Sequence, residues 1–373
     1  MPTVFEETTI NGMRLANRLV RSATWEGMCA ADGRPSERLA ALYRDLARGG
    51  VGLIITGYAF VRPDGKQLPS KMGIHDDDFE PEMRALVRAV HAEGGTICVQ
   101  LVHAGGQTDA RAAGRQPWAP SVVASPQFPE LPAALPREEI AALVEAFGQA
   151  ARRARAWGFD AVQLHGAHGY LINQFLSPLT NLRADEYGGA LFNRARFLME
   201  VYRRVRAEVG DAFPVLIKLN ASDNLDGGLG LEDSLAAARL LEAEGIDAIE
   251  ISAGTSASRG ENPTRTKIDD PAKEGYNLPL ARRFREALAC PLMVVGGFRS
   301  FAVVERAIRE DGIDYVAMAR PFIREPDLAR RWQSDDLGPA RCVSCSGCFR
   351  PGLKEGGIYC VTERRERERA AAP

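Results

Sequence analysis

Long apolar runs are missing from this 373-residue sequence. No window reaches the ~20 apolar residues that a bilayer-spanning helix needs. The opening residues, MPTVFEETTINGMRLANRL, lack the apolar h-region of a secretory signal, so a cytoplasmic chain is expected. An excess of one charge sign is missing as well. Forty-seven Lys and Arg face 49 Asp and Glu for a formal net charge of −2, which excludes an overall field drawing in nucleic acid or an anionic membrane. The usual phosphate loops of open nucleotide-binding sheets are also absent: no G-x-G-x-x-G follows the first apolar run, and no G-x-x-x-x-G-K-[ST] occurs anywhere.

What is present is alternation. Short apolar, β-branched runs at 19–24, 51–60, 96–103, 161–166, 215–220, 248–253, 291–297 and 315–320 are separated by amphipathic stretches such as SERLAALYRDLARGG and LEDSLAAARLLEAEG. Several of these stretches stop at a Gly able to take the left-handed conformation past a helix end. Eight such units predict an α/β fold, a (β/α)8 TIM barrel over residues 1–334, followed by a short cysteine-rich extension over 335–373. Two long Gly/Pro/Ser-rich segments, 104–136 and 254–277, follow the third and sixth strands and belong on the C-terminal rim, where barrel active sites are built. The closing RERERAAAP reads as a solvated tail.

Chemistry concentrates at three places. Gly296-Gly297 ends the seventh strand, and Ala319-Arg320 ends the eighth before a helical segment, the arrangement with which barrels bind phosphate through backbone N–H groups and a helix N-terminus. His165 and His168, with Tyr170 two residues on, fall in a Gly-containing turn at the end of the fourth strand. Two imidazoles without a third nearby ligand suit hydrogen bonding to a substrate oxygen better than metal binding. Cys342, Cys345, Cys348 and Cys360 crowd near the end; in a reducing compartment that spacing suits an iron–sulfur cluster or structural zinc, or the site holds neither.

HGAHGYLINQFLSP, together with Asn17-Arg18, Ser22-Ala23-Thr24, ADEYGG, GGF and ARPFIREPDL, resembles the Old Yellow Enzyme family of FMN-dependent NADH:flavin oxidoreductases. The cysteine spacing further resembles the branch containing 2,4-dienoyl-CoA reductase and trimethylamine dehydrogenase, whose matching cysteines hold a [4Fe-4S] cluster. The resemblance implies that Ser22, Ala23, Thr24 and Trp25 run along the flavin, with Gly57 and Gln100 near its polar edge. It implies that Lys218, usually Arg in the family, sits near N1 and the C2 carbonyl, and that Gly296, Gly297, Ala319 and Arg320 take the FMN phosphate. His165 and His168 would hold the activating oxygen of an alkene substrate, and Tyr170 would deliver a proton. Trp25 stands where relatives carry Cys or Thr. Gly27 stands where some ene-reductases carry Tyr, which suggests a roomier pocket or a contact supplied from elsewhere.

The activity implied is hydride transfer from NAD(P)H through FMN to an activated C=C bond, an ene-reductase. The rival is a flavin/iron–sulfur dehydrogenase that exchanges electrons with a separate partner. Exposed helix faces leave room for a homo-oligomer.

Overall fold

The computed structural model describes residues 1–371, and the last two residues of the tail lie outside them. Eight parallel strands close into a barrel: β1 (Leu19–Arg21), β2 (Leu53–Ile55), β3 (Ile97–Val102), β4 (Ala161–Gly166), β5 (Val215–Asn220), β6 (Ala248–Ser252), β7 (Leu292–Val295) and β8 (Tyr315–Met318). Each pairs with the next, and β8 pairs back onto β1. Helices pack outside. The first, α1 (Glu37–Arg48), shows why the sequence folds as it does. The Ser36 side chain caps its N-terminus, Glu37 and Arg48 suit the two ends of its dipole, and Leu39, Tyr43, Leu46 and Ala47 form one buried stripe.

Side-chain alternation sorts the strands into two cores. Val162, Leu164, Ile217, Leu219, Ile249 and Ile251 face the helices. Ala161, Leu216 and Ala248 point inward, with Ile10, Met13 and Leu15 of an N-terminal hairpin packed against them to close the bottom of the barrel. Two residues further along each strand the inward positions turn polar: Gln163 in β4, Lys218 in β5 and Glu250 in β6, all buried. The apolar floor therefore carries a polar layer beneath the mouth.

One expectation is corrected. The run 51–60 is not one strand. It breaks after Ile55, because the Gly57 N–H bonds the Glu26 carboxylate (3.1 Å) and the Tyr43 hydroxyl (2.9 Å) instead of a neighbouring strand. Pairing resumes at Ala59–Phe60, which lies beside Leu101–Val102 at the end of β3 and carries Met72–Gly73 on its other side. The charged tail is solvated, and Val361–Ala370 is helical, with Arg364–Glu368 and Arg367–Glu363 pairs one turn apart. Among the described residues no helix is long and apolar enough to cross a membrane.

Candidate active site

The mouth of the barrel is not filled. A cavity of about 230 Å³ is lined by Ser22, Ala23, Thr24 and Trp25 after β1, Gln100 of β3, Lys218 of β5, Gly297 after β7, and Ala319 and Arg320 after β8, with His165, His168 and Tyr170 on its wall. Of the residues singled out in the sequence, Gly57 stands behind this lining, committed to Glu26 and Tyr43. Gly296 lies just outside it, its carbonyl accepting from Tyr276 N. The loop 254–277 adds Pro263, Thr264 and Tyr276. The cavity continues outward into a second one that shares His168, Tyr170 and Phe349 and is edged by Gln67 and Gln107.

The polar layer beneath the mouth is one hydrogen-bonded network that the sequence reading missed. Gln100 Nε2 donates to Gln163 Oε1 (2.7 Å), and Gln163 Nε2 donates to Glu250 Oε2 (2.8 Å). Ser22 Oγ donates to Glu250 Oε1 (2.6 Å), and Lys218 Nζ donates to Ser22 Oγ (2.8 Å) and pairs with Glu250 Oε1 at 3.1 Å. The Lys218 charge is thus neutralised inside the barrel by an acid 32 positions later in the chain. A polar residue at every second position of consecutive apolar strands was the available signal.

The fourth-strand motif forms a tight turn. His168 has φ +62° and Gly169 φ +79°, a left-handed pair that folds the chain back over the strand end. The His165 and His168 rings meet edge to face with centroids 5.2 Å apart, and the Tyr170 ring lies 4.7 Å from His165. The Ala167 N–H is directed at His165 Nδ1 (3.4 Å), which leaves Nε2 to carry the proton. His168 Nε2 lies 2.7 Å from Ser252 Oγ. Burial holds both imidazoles neutral, His165 well below its usual range and His168 at about 3, with the Lys218 charge adding to the effect. Burial also pushes the Tyr170 phenol up to about 12. Tyr170 and Tyr58 both donate to Gln67 Oε1, at 3.0 and 2.7 Å.

The cysteine-rich extension is a lid on this mouth. Ser344 and Phe349 line the cavity, Ile358 N donates to Glu26 O (2.8 Å), and Arg320 donates to Ser344 O (3.2 Å) and Ser346 Oγ (3.0 Å). Gly27 therefore makes no roomier pocket. Its φ is +66°, and a Cβ there would sit 2.8 Å from Gly352 O, so the missing side chain admits the helix Phe349–Lys354. Cys342, Cys345, Cys348 and Cys360 line one small cavity of their own, with Arg320 on the wall shared with the mouth. Among the described residues no three His, Cys, Asp or Glu side chains converge on a point that would hold a single metal ion.

The lining fits FMN by its own chemistry. The indole N–H of Trp25 is buried without a partner at the cavity wall, and Gly297, at φ +74°, lines the same cavity as Arg320. Residues 3–336 match the NADH:flavin oxidoreductase / NADH oxidase family. The chain belongs to this family. As a member of the NADH:flavin oxidoreductase family it is an enzyme, an FMN-dependent NAD(P)H oxidoreductase on a (β/α)8 barrel.

It is 33% identical to 4,4'-dithiodibutanoate disulfide reductase of Rhodococcus erythropolis, over 93% of this chain and 92% of that protein. Among solved structures it is similar to 2-naphthoyl-CoA reductase in complex with 2-naphthoyl-CoA (TM-score 0.89, 29% identity), covering 96% of this chain and 56% of that one. The Old Yellow Enzyme homologue from Zymomonas mobilis is also similar (TM-score 0.79, 29% identity), with 91% and 94% covered. The chain thus spans nearly the whole of the disulfide reductase and about half of the naphthoyl-CoA reductase.

Proposed function

We propose that this flavin oxidoreductase is an ene-reductase, reducing a C=C bond activated by a carbonyl or related group at the expense of NAD(P)H. One observation carries the reading: His165, His168 and Tyr170 converge on the wall of a cavity floored by Gln100 and Lys218 and ended by Gly297 and Arg320. FMN bound there supplies hydride exchange between the nicotinamide and the alkene.

The protein's own groups do the rest. With its Nδ1 occupied by the Ala167 N–H, His165 offers Nε2–H. The Ser252 hydroxyl can donate a hydrogen bond to His168 Nε2, leaving Nδ1–H as the second donor. Two neutral donors grip the activating oxygen as negative charge grows on it, each worth roughly 3 kcal/mol in the transition state by analogy with oxyanion-hole donors. Tyr170, protonated throughout the physiological range, delivers the proton to the α-carbon. When its hydroxyl turns from Gln67 toward substrate, Tyr58 keeps Gln67 Oε1 satisfied. Ser22 to Trp25 with Gln100 and Lys218 would flank the ring system, while Gly296, Gly297, Ala319 and Arg320 would take the phosphate. The test is direct: purified protein should take up FMN stoichiometrically and reduce 2-cyclohexenone with NADH or NADPH. Correctly folded protein that retains no flavin once excess FMN is removed overturns the reading.

A second reading, electron exchange with a separate partner, is favoured by one feature. The four cysteines of the quartet line one small cavity, and its wall includes Arg320 of the flavin cavity. Tetrahedral zinc with Zn–S bonds of ~2.3 Å would draw its sulfurs to about 3.8 Å from one another, whereas a cubane core keeps them further apart. Four irons and four sulfides per chain in anaerobically prepared protein support the cluster; one zinc per chain overturns it.

A further inference from the structure

The cations lining the mouth cavity are partnered, with one exception. Lys218 has Glu250, and Arg320 has Ser344 O and Ser346 Oγ. Lys71 is only 4% exposed, yet among the described residues no carboxylate lies within 4.0 Å of its ammonium and no acceptor bonds it. Its neighbours are rings: Nζ stands 3.9 Å from the centroid of Tyr58 and 5.3 Å from that of Trp25. Glu26 is the acid whose charge reaches it, but at more than 4.0 Å, and Glu26 Oε1 accepts from Arg21 (2.6 Å), Tyr43 (2.7 Å) and the Gly57 N–H (3.1 Å). Burial keeps the Cys29 thiol protonated, and no Asp or Glu lines the cavity.

The fold holds this ammonium in place. Met72–Gly73 is tied through Ala59–Phe60 to the end of β3, and Ser70, at φ +56°, turns the chain so that Lys71 lines the cavity. An ammonium withdrawn from water without a partner is costly, and burial pushes its pKa down to about 7. Tyr58 connects it to the reacting groups, since the same ring lies 5.1 Å from Tyr170 and 6.2 Å from His165.

We infer that Lys71 is a substrate-recognition residue for a carboxylate, so that this enzyme's preferred substrates carry one anionic carboxylate besides the oxygen held by His165 and His168. The inference rests on the reading under "Proposed function". A single compact ammonium matches a monoanion, since the guanidinium that lines the same cavity, Arg320, is committed to Ser344 O and Ser346 Oγ; a phosphate dianion would keep an unbalanced charge in a dry site.

The experiment compares 3- and 4-hydroxybenzoate with the matching hydroxybenzamides, binding to FMN-loaded wild type, Lys71→Met and Lys71→Gln. Calorimetry and the long-wavelength flavin absorbance are the two readouts. The wild type should favour one of the acids over its amide, and both variants should lose about 10- to 100-fold of that preference, the worth of one charge-assisted hydrogen bond. Lys71→Met should also melt at a higher temperature than wild type, because it removes an unpaired buried charge. Flavin-loaded variants that keep the wild-type acid-to-amide ratio overturn this inference alone. A protein that binds no FMN overturns the reading beneath it.

Discussion

Replacing Glu250 by Gln removes the carboxylate that balances Lys218 inside the barrel. The pair is separated by 3.1 Å, with side chains 3% and 0% exposed, so neither charge can turn to water. At an effective dielectric of about 20, two unit charges at that distance attract by about 5 kcal/mol. Removing one partner of a buried pair costs about 3–5 kcal/mol, because the survivor stays desolvated. The amide introduced by Glu250→Gln keeps the volume and an acceptor for Gln163 or Ser22, so packing loss adds little. Lys218→Met should cost a similar amount, by leaving Glu250 unpaired.

The double variant removes both charges together and should lose only about 1–2 kcal/mol, giving a coupling of about 3 kcal/mol or more. Isothermal urea unfolding of the FMN-stripped protein measures it, since cofactor affinity then does not enter. Single-variant losses that add to within about 0.5 kcal/mol would refute the claim that the two charges stabilise each other.

Tyr170→Phe should leave flavin reduction by NAD(P)H at its parental rate and slow alkene turnover by about 10²- to 10⁴-fold; stopped-flow measurement of the two half-reactions separates them. His168 is neutral in the fold down to about pH 3 but titrates near 6.5 when unfolded, so its stabilising contribution is present above about pH 6.5 and is lost as the pH falls toward 3. Urea midpoints of wild type and His168→Asn should therefore converge on acidification, and parallel curves would contradict the assignment. Gly27→Ala, at φ +66° and against Gly352 O, should cost at least about 1 kcal/mol and loosen the lid, read as faster proteolysis within 335–371. Cys345→Ser and Cys348→Ser should abolish iron uptake without emptying the FMN site, checked by metal analysis beside the flavin spectrum.

The eight strands, the capped amphipathic helices and the two rim loops were legible because period-2 and period-3.6 patterns record which face of an element is buried. His165, His168 and Tyr170 were legible because three versatile side chains fall within six positions at one strand end. Glu250 and Gln163 passed as members of apolar runs, although their alternation with Ile and Leu carried the signal. Gly27 was read as a roomier pocket or a contact supplied from elsewhere, and the structure fills the position with Gly352 from a segment more than three hundred positions away.

The sequence by itself determined the local geometry, the order of the elements and the cluster of groups on a single turn, since these depend on neighbours along the chain. Closure of the barrel decided the rest. Only closure brings Ser22 within 2.6 Å of Glu250 across 228 positions, sets the cysteine-bearing lid over the mouth, and seals Lys71 among rings with no acid to meet it. Such contacts are set by how sheets and helices pack in three dimensions, and no periodicity along the chain records them.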